Sequence, residues 1–281
     1  MEGEVQAMNK KILRRVNKRR LTMLISYIVF ALCTVTLATV RPFAVEKVPV
    51  KKPVVKKIVK KTVKKTYTAA QLRALKYPEE LVEFMEKYPE TTSFVVDYKK
   101  DADYYNNQKI SIKSEVTKGK IPLFIQWDKR WGYRDYADGF FATKTCGPTC
   151  MSMVYSGLTG KTDMDPYKMS KWSYQHGYYE QGVGTRWTFM ENAGSHFGLT
   201  ERDIASDPRT IKEYLKAHYV LIANVKKGDF TKAGHYIVLT GLTKDGKLKV
   251  NDPNSQINSR KRWSIQRVSK QIKLLGAFKA K

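Results

Sequence analysis

The longest uncharged stretch of the chain spans residues 21–40 and reads LTMLISYIVFALCTVTLATV. Twenty helical residues rise about 30 Å, roughly the thickness of a bilayer's hydrocarbon core. Because the block KKILRRVNKRR precedes this stretch, the positive-inside rule predicts a cytoplasmic segment at 1–20 and a retained transmembrane anchor at 21–40. A cleaved signal peptide is the alternative, since Thr36-Leu37-Ala38 fits a small-x-small cleavage site. Both interpretations place the rest of the chain outside the cytoplasm.

From residue 67 onward, apolar positions at helical spacing give way to short apolar runs. The helical pattern, with capping residues in front and glycines behind, predicts helices in AAQLRALKY, ELVEFMEKY, a shorter segment from Pro89 to FVVDY, CGPTCMSMVYSGLTG, DPYKMSKWSYQHG, TRWTFMENAGSHFG and DPRTIKEYLKAH. The apolar runs predict strands in IPLFI, YVLIANV, GHYIVLTGL, KLKVN and KLLGAF. A helical half followed by an antiparallel sheet predicts an α+β fold.

Three further segments follow the predicted anchor. A Lys/Val-rich linker at 41–66 repeats Val-Lys-Lys four times, and such like charges repel and extend a chain. It is either a solvated spacer or a tether for anionic lipid headgroups or an anionic wall polymer. A helical lead-in at 67–118 shows no motif that carries chemistry. The main domain is predicted at 119–281.

The net charge of +26 is concentrated before the predicted domain. Segment 1–20 has seven basic and two acidic residues (+5), and segment 41–66 has ten basic residues and one acidic residue (+9). More than half of the charge therefore lies outside the folded part, whereas a nucleic-acid-binding domain would carry it inside. We expect no nucleic-acid partner. Three cysteines, at positions 33, 146 and 150, are too few for a disulfide framework.

The stretch ATKTCGPTCMSMVY places Cys146 at the start of a predicted helix. Unpaired N–H groups and the helix dipole stabilise a negative charge there, which favours the thiolate that makes cysteine a nucleophile. Pro148 fits the first helical turn. A buried cysteine that only packs is the alternative.

A catalytic thiol needs a base, and the base needs an orienting group. His235 opens the strand GHYIVLTGL, which turns at Lys244-Asp245-Gly246 and returns as KLKVNDP. An antiparallel hairpin would bring Asp252 back to the end where His235 lies. Asp252 could then hold the imidazole in one tautomer. An ordinary turn at Asn251-Asp252-Pro253 is the alternative.

The order IQWDKRWGY, TCGPTC, GHYIVLTG and VNDPNS resembles the C39-like cysteine peptidase family in its stand-alone bacterial branch. The resemblance extends from Tyr77 to Phe278 and includes YPEELVEFMEKYPET and GYYEQGVGTRW. It implies a papain-like fold with a catalytic Cys146, His235 and Asp252. It also implies that Gln126 donates to the oxyanion, although Gln126 lies twenty positions before Cys146, farther than in transporter-linked members.

The resemblance implies a membrane-anchored, extracytoplasmic cysteine peptidase that hydrolyses peptide bonds through a thioester. Two alternatives stay open: a hydrolase of cell-wall stem peptides, and a non-catalytic envelope-binding module. We expect no cofactor and no metal, since a zinc site would need more cysteine or histidine ligands at short spacing. Cys150 is expected to pack in the core. The loop GYYEQGVGTRW either lines a binding groove or packs on the core.

Overall fold

The structure is a computed structural model that describes residues 67–281. The predicted cytoplasmic segment, anchor and linker (1–20, 21–40 and 41–66) lie outside the described residues, so these predictions stay predictions. All described residues belong to one compact unit. None of its helices is both long and apolar enough to cross a membrane.

Helices and strands cover most of the described chain. The α-helices of residues 67–281 are α1 (Ala69–Ala74), α2 (Glu79–Lys87), α3 (Thr92–Asn106), α4 (Lys129–Gly132), α5 (Phe141–Lys144), α6 (Cys146–Thr159), α7 (Pro166–Gln175), α8 (Thr188–His196), α9 (Pro208–Lys216), α10 (Gln256–Arg260) and α11 (Ile265–Ser269), and a 3-10 helix spans Pro89–Thr91. The strands of the same part are β1 (Asp135–Tyr136), β2 (Gly139–Phe140), β3 (Tyr179–Glu180), β4 (Gly184–Thr185), β5 (Leu199–Asp203), β6 (Val220–Val225), β7 (His235–Leu242), β8 (Leu248–Asn251), β9 (Arg262–Trp263) and β10 (Ile272–Ala280).

Local capping explains where several helices begin and end. The Thr68 side chain accepts from the Gln71 N–H and completes a capping box at α1. Asp165 and Asp207 cap α7 and α9 through their side chains, each with proline in the first turn. Helix α6 ends at Gly160, whose φ of 76° is the left-handed conformation that glycine adopts without strain.

One six-stranded antiparallel sheet, in the order β5-β10-β6-β7-β8-β9, forms the centre of the fold. Side chains alternate along β7, so Tyr236 and Val238 join one core cluster while Ile237 and Leu239 join another. Helices α6, α7 and α8 cover the first face, and α9 and α11 cover the second. The α+β class agrees with the sequence prediction, with helices on both faces of the sheet.

The lead-in packs directly against the main domain. Phe94 stacks on Tyr133 with ring centroids 4.2 Å apart, and the Tyr133 hydroxyl donates to the Phe94 carbonyl at 2.7 Å. Lys129 Nζ lies 2.6 Å from both Asp97 and Asp101. The two predicted segments therefore share one apolar cluster, which α1, α2 and α3 form together with Tyr133 and Ala142.

Two sequence predictions were wrong, and one edge strand was not predicted. The run Ile121–Ile125 forms no strand; Pro122 has no N–H to donate to a ladder, and its carbonyl accepts from the Asn251 side chain at 2.9 Å. The third lead-in helix continues to Asn106 instead of ending near Tyr98. Strand β5 was not predicted, because its sequence, LTERD, does not alternate between apolar and polar residues. An edge strand can have such a polar sequence.

Candidate active site

Cys146 is the first residue of α6 and is half-buried. No side chain caps this helix, because the Thr145 hydroxyl donates instead to the Phe141 carbonyl at 2.8 Å. The N–H groups of Cys146 and Gly147 therefore have no side-chain cap and remain available to stabilise a negative charge on the sulfur. A Cβ added to Gly147 would lie 2.8 Å from Cβ of Thr185, so glycine lets this helix start approach its neighbour closely.

His235 and Asp252 meet at one end of the β7–β8 hairpin. His235 opens β7, and Asp252 follows the last residue of β8, whose register pairs Val238 with Asn251. His235 Nε2 lies 2.8 Å from Asp252 Oδ1. The His235 side chain is 5% exposed and that of Asp252 is fully buried, so water competes little for this bond.

The Asp252 carboxylate is held from both sides. Oδ1 also accepts from the Asn254 N–H at 2.9 Å, and Oδ2 accepts from Asn258 Nδ2 at 3.0 Å. These donors compensate the burial of a charged group and fix the direction in which the carboxylate faces His235. Helix α10 thus contributes to the site through Asn258.

The pKa values of Cys146 and His235 shift in opposite directions. Burial alone would raise the pKa of the Cys146 thiol, but the hydrogen bond and charge of His235 outweigh it and lower that pKa. Burial alone would lower the pKa of His235, but the charge and hydrogen bond of Asp252 raise it to about 10. This environment favours a thiolate beside an imidazolium, the reactive form of a cysteine nucleophile.

Gln126 lies at the same site and is 3% exposed. Its Nε2 donates to the Ala142 carbonyl at 2.6 Å, which leaves one amide N–H for another acceptor. Its backbone N–H donates to the Pro253 carbonyl at 2.7 Å, next to Asp252. The side-chain Oε1 has no hydrogen-bond partner in the described part of the chain. The amide can therefore serve an oxyanion beside Cys146.

These side chains line a cleft of about 220 Å³. The lining includes Gln126, Cys146, His235 and Asn254 from the main domain and, from the lead-in, Glu80, Glu83, Phe84, Lys87 and Tyr88. Lys87, Tyr88 and Asn254 also line an adjacent cavity of about 620 Å³.

Cys150 differs from Cys146 in its burial and in the direction of its pKa shift. It is fully buried in the main apolar cluster, and burial raises its pKa well above the ordinary value. Both cysteines are free thiols. Within residues 67–281, no group of three or more histidine, cysteine or carboxylate side chains could hold a metal ion.

The loop GYYEQGVGTRW packs on the core. Tyr178, Tyr179 and Trp187 are partly buried against the main apolar cluster, and none of the residues that line the catalytic cleft comes from this loop. The loop reaches the site indirectly, since the Tyr236 hydroxyl donates to the Thr185 carbonyl at 2.9 Å.

Sequence analysis missed the polar residues that surround Asp252. Asn254 belongs to the motif VNDPNS, donates to Asp252 and lines the cleft. An ordinary Asx-type turn would contain the same residues, so the motif alone did not indicate that Asn254 lies in the cleft. The lead-in stretch YPEELVEFMEKYPET is part of the resemblance, but it did not indicate that these residues line the cleft, because that depends on packing between segments distant in sequence.

The family model described as Peptidase_C39 like family matches residues 118–275. This match spans more than half of the chain, and the chain belongs to that family. It is a cysteine peptidase, a hydrolase of peptide bonds. A comparison of the chain with curated proteins found no match.

Two solved structures are similar to parts of the chain. The peptidase domain of Streptococcus ComA, a bi-functional ABC transporter involved in a quorum-sensing pathway, is 21% identical with a TM-score of 0.42, covering 58% of this chain and 100% of that domain. A double-glycine motif protease from an AMS/PCAT transporter, in complex with the leader peptide, is 17% identical with a TM-score of 0.32, covering 62% of this chain and 100% of that protease.

Proposed function

We propose that this peptidase uses Cys146 as nucleophile, His235 as general base and acid, Asp252 as the group that orients His235, and Gln126 as an oxyanion donor. The observation that carries the proposal is the His235–Asp252 hydrogen bond of 2.8 Å at the start of β7, beside the cysteine that begins α6. A nucleophile, a base and an orienting group in one cleft are what covalent amide hydrolysis needs.

The reaction follows from these positions. The Cys146 thiolate attacks the carbonyl carbon of an amide, and the resulting oxyanion accepts hydrogen bonds from Gln126 Nε2 and a backbone N–H at the start of α6. Since Asp252 engages Nε2 of His235, Nδ1 is the nitrogen left to protonate the leaving amine as the C–N bond breaks. Neutral His235 then takes a proton from water, whose oxygen attacks the thioester. Breaking the C–S bond releases a carboxylic acid and restores the thiolate–imidazolium pair.

We further propose that the domain acts outside the cytoplasm, anchored by residues 21–40. The uncharged stretch of twenty residues behind a basic block supports this location. The linker 41–66, with its nine net positive charges, would then lie next to the membrane and the envelope. If the N-terminal segment is cleaved as a signal peptide, the domain is released instead.

The proposed substrates are peptides. A second candidate, the stem peptides of cell-wall peptidoglycan, is favoured by the Lys/Val-rich linker, because such a tether can hold the domain against an anionic polymer. A non-catalytic envelope-binding module, the third interpretation that the sequence left open, does not agree with membership of a cysteine peptidase family or with the Cys146, His235 and Asp252 set.

One comparison tests the function and separates the substrates. The full chain and its Cys146→Ala variant are incubated with a peptide mixture and with purified peptidoglycan, and the products are identified by mass spectrometry. We expect new peptide termini only with the wild type. Release of wall fragments without peptide cleavage would favour the second candidate. Full hydrolysis by the Cys146→Ala variant would refute the mechanism.

A further inference from the structure

The lead-in reaches the loop that carries Asp252 through one carboxylate. Glu90, in the 3-10 helix after α2, is half-buried. One of its oxygens accepts from the Ser255 hydroxyl, and the other accepts from the Ile257 N–H at 3.1 Å. Ser255 is three positions beyond Asp252, while Glu90 lies outside the region that the family model matches.

From Ser255 an unbroken chain of hydrogen bonds continues to His235. The Ser255 hydroxyl oxygen accepts from the Asn258 N–H at 3.0 Å. The Asn258 side chain donates to Asp252 Oδ2 at 3.0 Å, and Asp252 Oδ1 lies 2.8 Å from His235 Nε2. Glu90 thus stands at the far end of the network that orients the base.

The lead-in is itself fixed on the nucleophile's side of the cleft. Glu80 accepts from the Phe140 N–H at 3.2 Å and from the Thr143 hydroxyl, just before Cys146. Its carboxylate also lies 3.5 Å from Lys144 Nζ. Because the lead-in is held at both loops, Glu90 can hold Ser255 in place instead of following its movements.

We propose that Glu90 is a positioning residue for catalysis, acting through Ser255 and Asn258 on the carboxylate of Asp252. This inference rests on the proposed triad. Without Glu90, Ser255 and then Asn258 would be less constrained, and Asp252 would be held less firmly against His235. A less stabilised imidazolium favours the neutral thiol, so loss of Glu90 would weaken the nucleophile without touching it.

The test measures the pH dependence of Cys146 alkylation by iodoacetamide in the full chain, followed by tandem mass spectrometry of the peptide that contains Cys146. We expect Glu90→Ala to move the acid limb of the alkylation rate to higher pH. We also expect kcat/KM for a cleaved peptide to fall by about tenfold to a hundredfold, mainly through kcat. Glu90→Gln, which keeps an acceptor for the hydroxyl, should retain part of both properties.

Two further variants separate positioning from general stability. Glu86→Ala removes a carboxylate of α2 that pairs with Arg73 within the lead-in, and should leave the acid limb unchanged. Ser255→Ala interrupts the same chain one step later, so its effect should not add to that of Glu90→Ala. If Glu90→Ala does not fold, the acid limb of Glu90→Gln decides: a limb at the wild-type position together with wild-type kcat/KM would overturn the inference.

The outcomes distinguish this inference from the proposed function. If His235→Ala moves the acid limb to higher pH while Glu90→Ala leaves it at the wild-type position, Glu90 has no positioning role and the triad stands. An equal shift in Glu86→Ala would also overturn the inference, since any weakening of the lead-in would then suffice. If His235→Ala leaves the limb unchanged, the triad fails and the inference fails with it.

Discussion

His235 Nε2 and Asp252 Oδ1 lie 2.8 Å apart, with both side chains withdrawn from solvent. This bond assigns one ring nitrogen to the carboxylate. In the proposed mechanism the other ring nitrogen carries the proton that passes between Cys146 and the substrate. Because Asp252 has two further donors, Asn254 and Asn258, its position does not depend on His235. The base is therefore oriented before any substrate binds.

Asp252→Asn should preserve the shape of the site but remove the charge that raises the pKa of His235. We expect kcat/KM to fall roughly a hundredfold, since base catalysis then lacks its orienting charge. The alkaline limb of the pH profile should move to lower pH. Asp245→Asn, an exposed carboxylate at the opposite end of the same hairpin, is the matched control and should behave as the wild type.

Activity should require a thiolate and an imidazolium at the same time. His235 lowers the pKa of Cys146. As the pH rises, activity should therefore appear at a pH below the range in which an ordinary thiol ionises. The pKa of His235 is raised to about 10, so activity should persist through neutral pH and decline as His235 deprotonates. A kcat/KM profile measures the two limits, which belong to the coupled pair. A single rising limb near the ordinary thiol pKa would contradict the ion pair.

Gln126→Ala should lower kcat by about 10²- to 10³-fold with little change in KM, as expected when an oxyanion donor is lost. Alkylation of Cys146 should continue at the wild-type rate, because forming the thiolate needs no oxyanion donor. Steady-state kinetics and alkylation rates together check this. If Gln126 only packs beside Trp127, thermal stability would change and kcat would not.

Gly147→Ala should reduce activity by displacing the start of α6. The new Cβ would lie 2.8 Å from the Thr185 side chain, so either the helix start or the β4 loop must move. Thr185→Gly removes the clashing atoms, and Thr185 Oγ1 has no hydrogen-bond partner to lose within residues 67–281. Activity of the double variant should therefore exceed that of Gly147→Ala alone. Equal activity in these two would show that the clash is not the cause.

Much of the fold could be predicted because local chemistry determines it. The side chains of Thr68, Asp165 and Asp207 accept hydrogen bonds from N–H groups in the first turn and so mark where α1, α7 and α9 begin. Gly160 marks the end of α6. The hairpin turn after β7 follows from Lys244-Asp245-Gly246, which brings residue 252 back towards residue 235. Local patterns of this kind do not depend on the rest of the chain.

The parts that could not be predicted depend on contacts between distant segments. Residues 121–125 have the composition of a strand, but none of the described strands pairs with them. The carbonyls of Ile121 and Pro122 accept instead from the Asn251 side chain. Glu90 meets Ser255 across 165 positions, and nothing in the residues around either one indicates the pairing. The lead-in thus appeared to have no chemistry although five of its residues line the cleft.

The central claim is that Cys146, activated by His235, is the nucleophile. Its most direct test is covalent labelling with a thiol-reactive peptide electrophile, located by tandem mass spectrometry in the full chain and its variants. The wild type and Cys150→Ala should each carry the adduct at residue 146 and lose hydrolytic activity as it forms. Cys146→Ala should hydrolyse nothing, and His235→Ala should label far more slowly. An adduct at another residue that abolishes hydrolysis, or hydrolysis by Cys146→Ala, would contradict the claim.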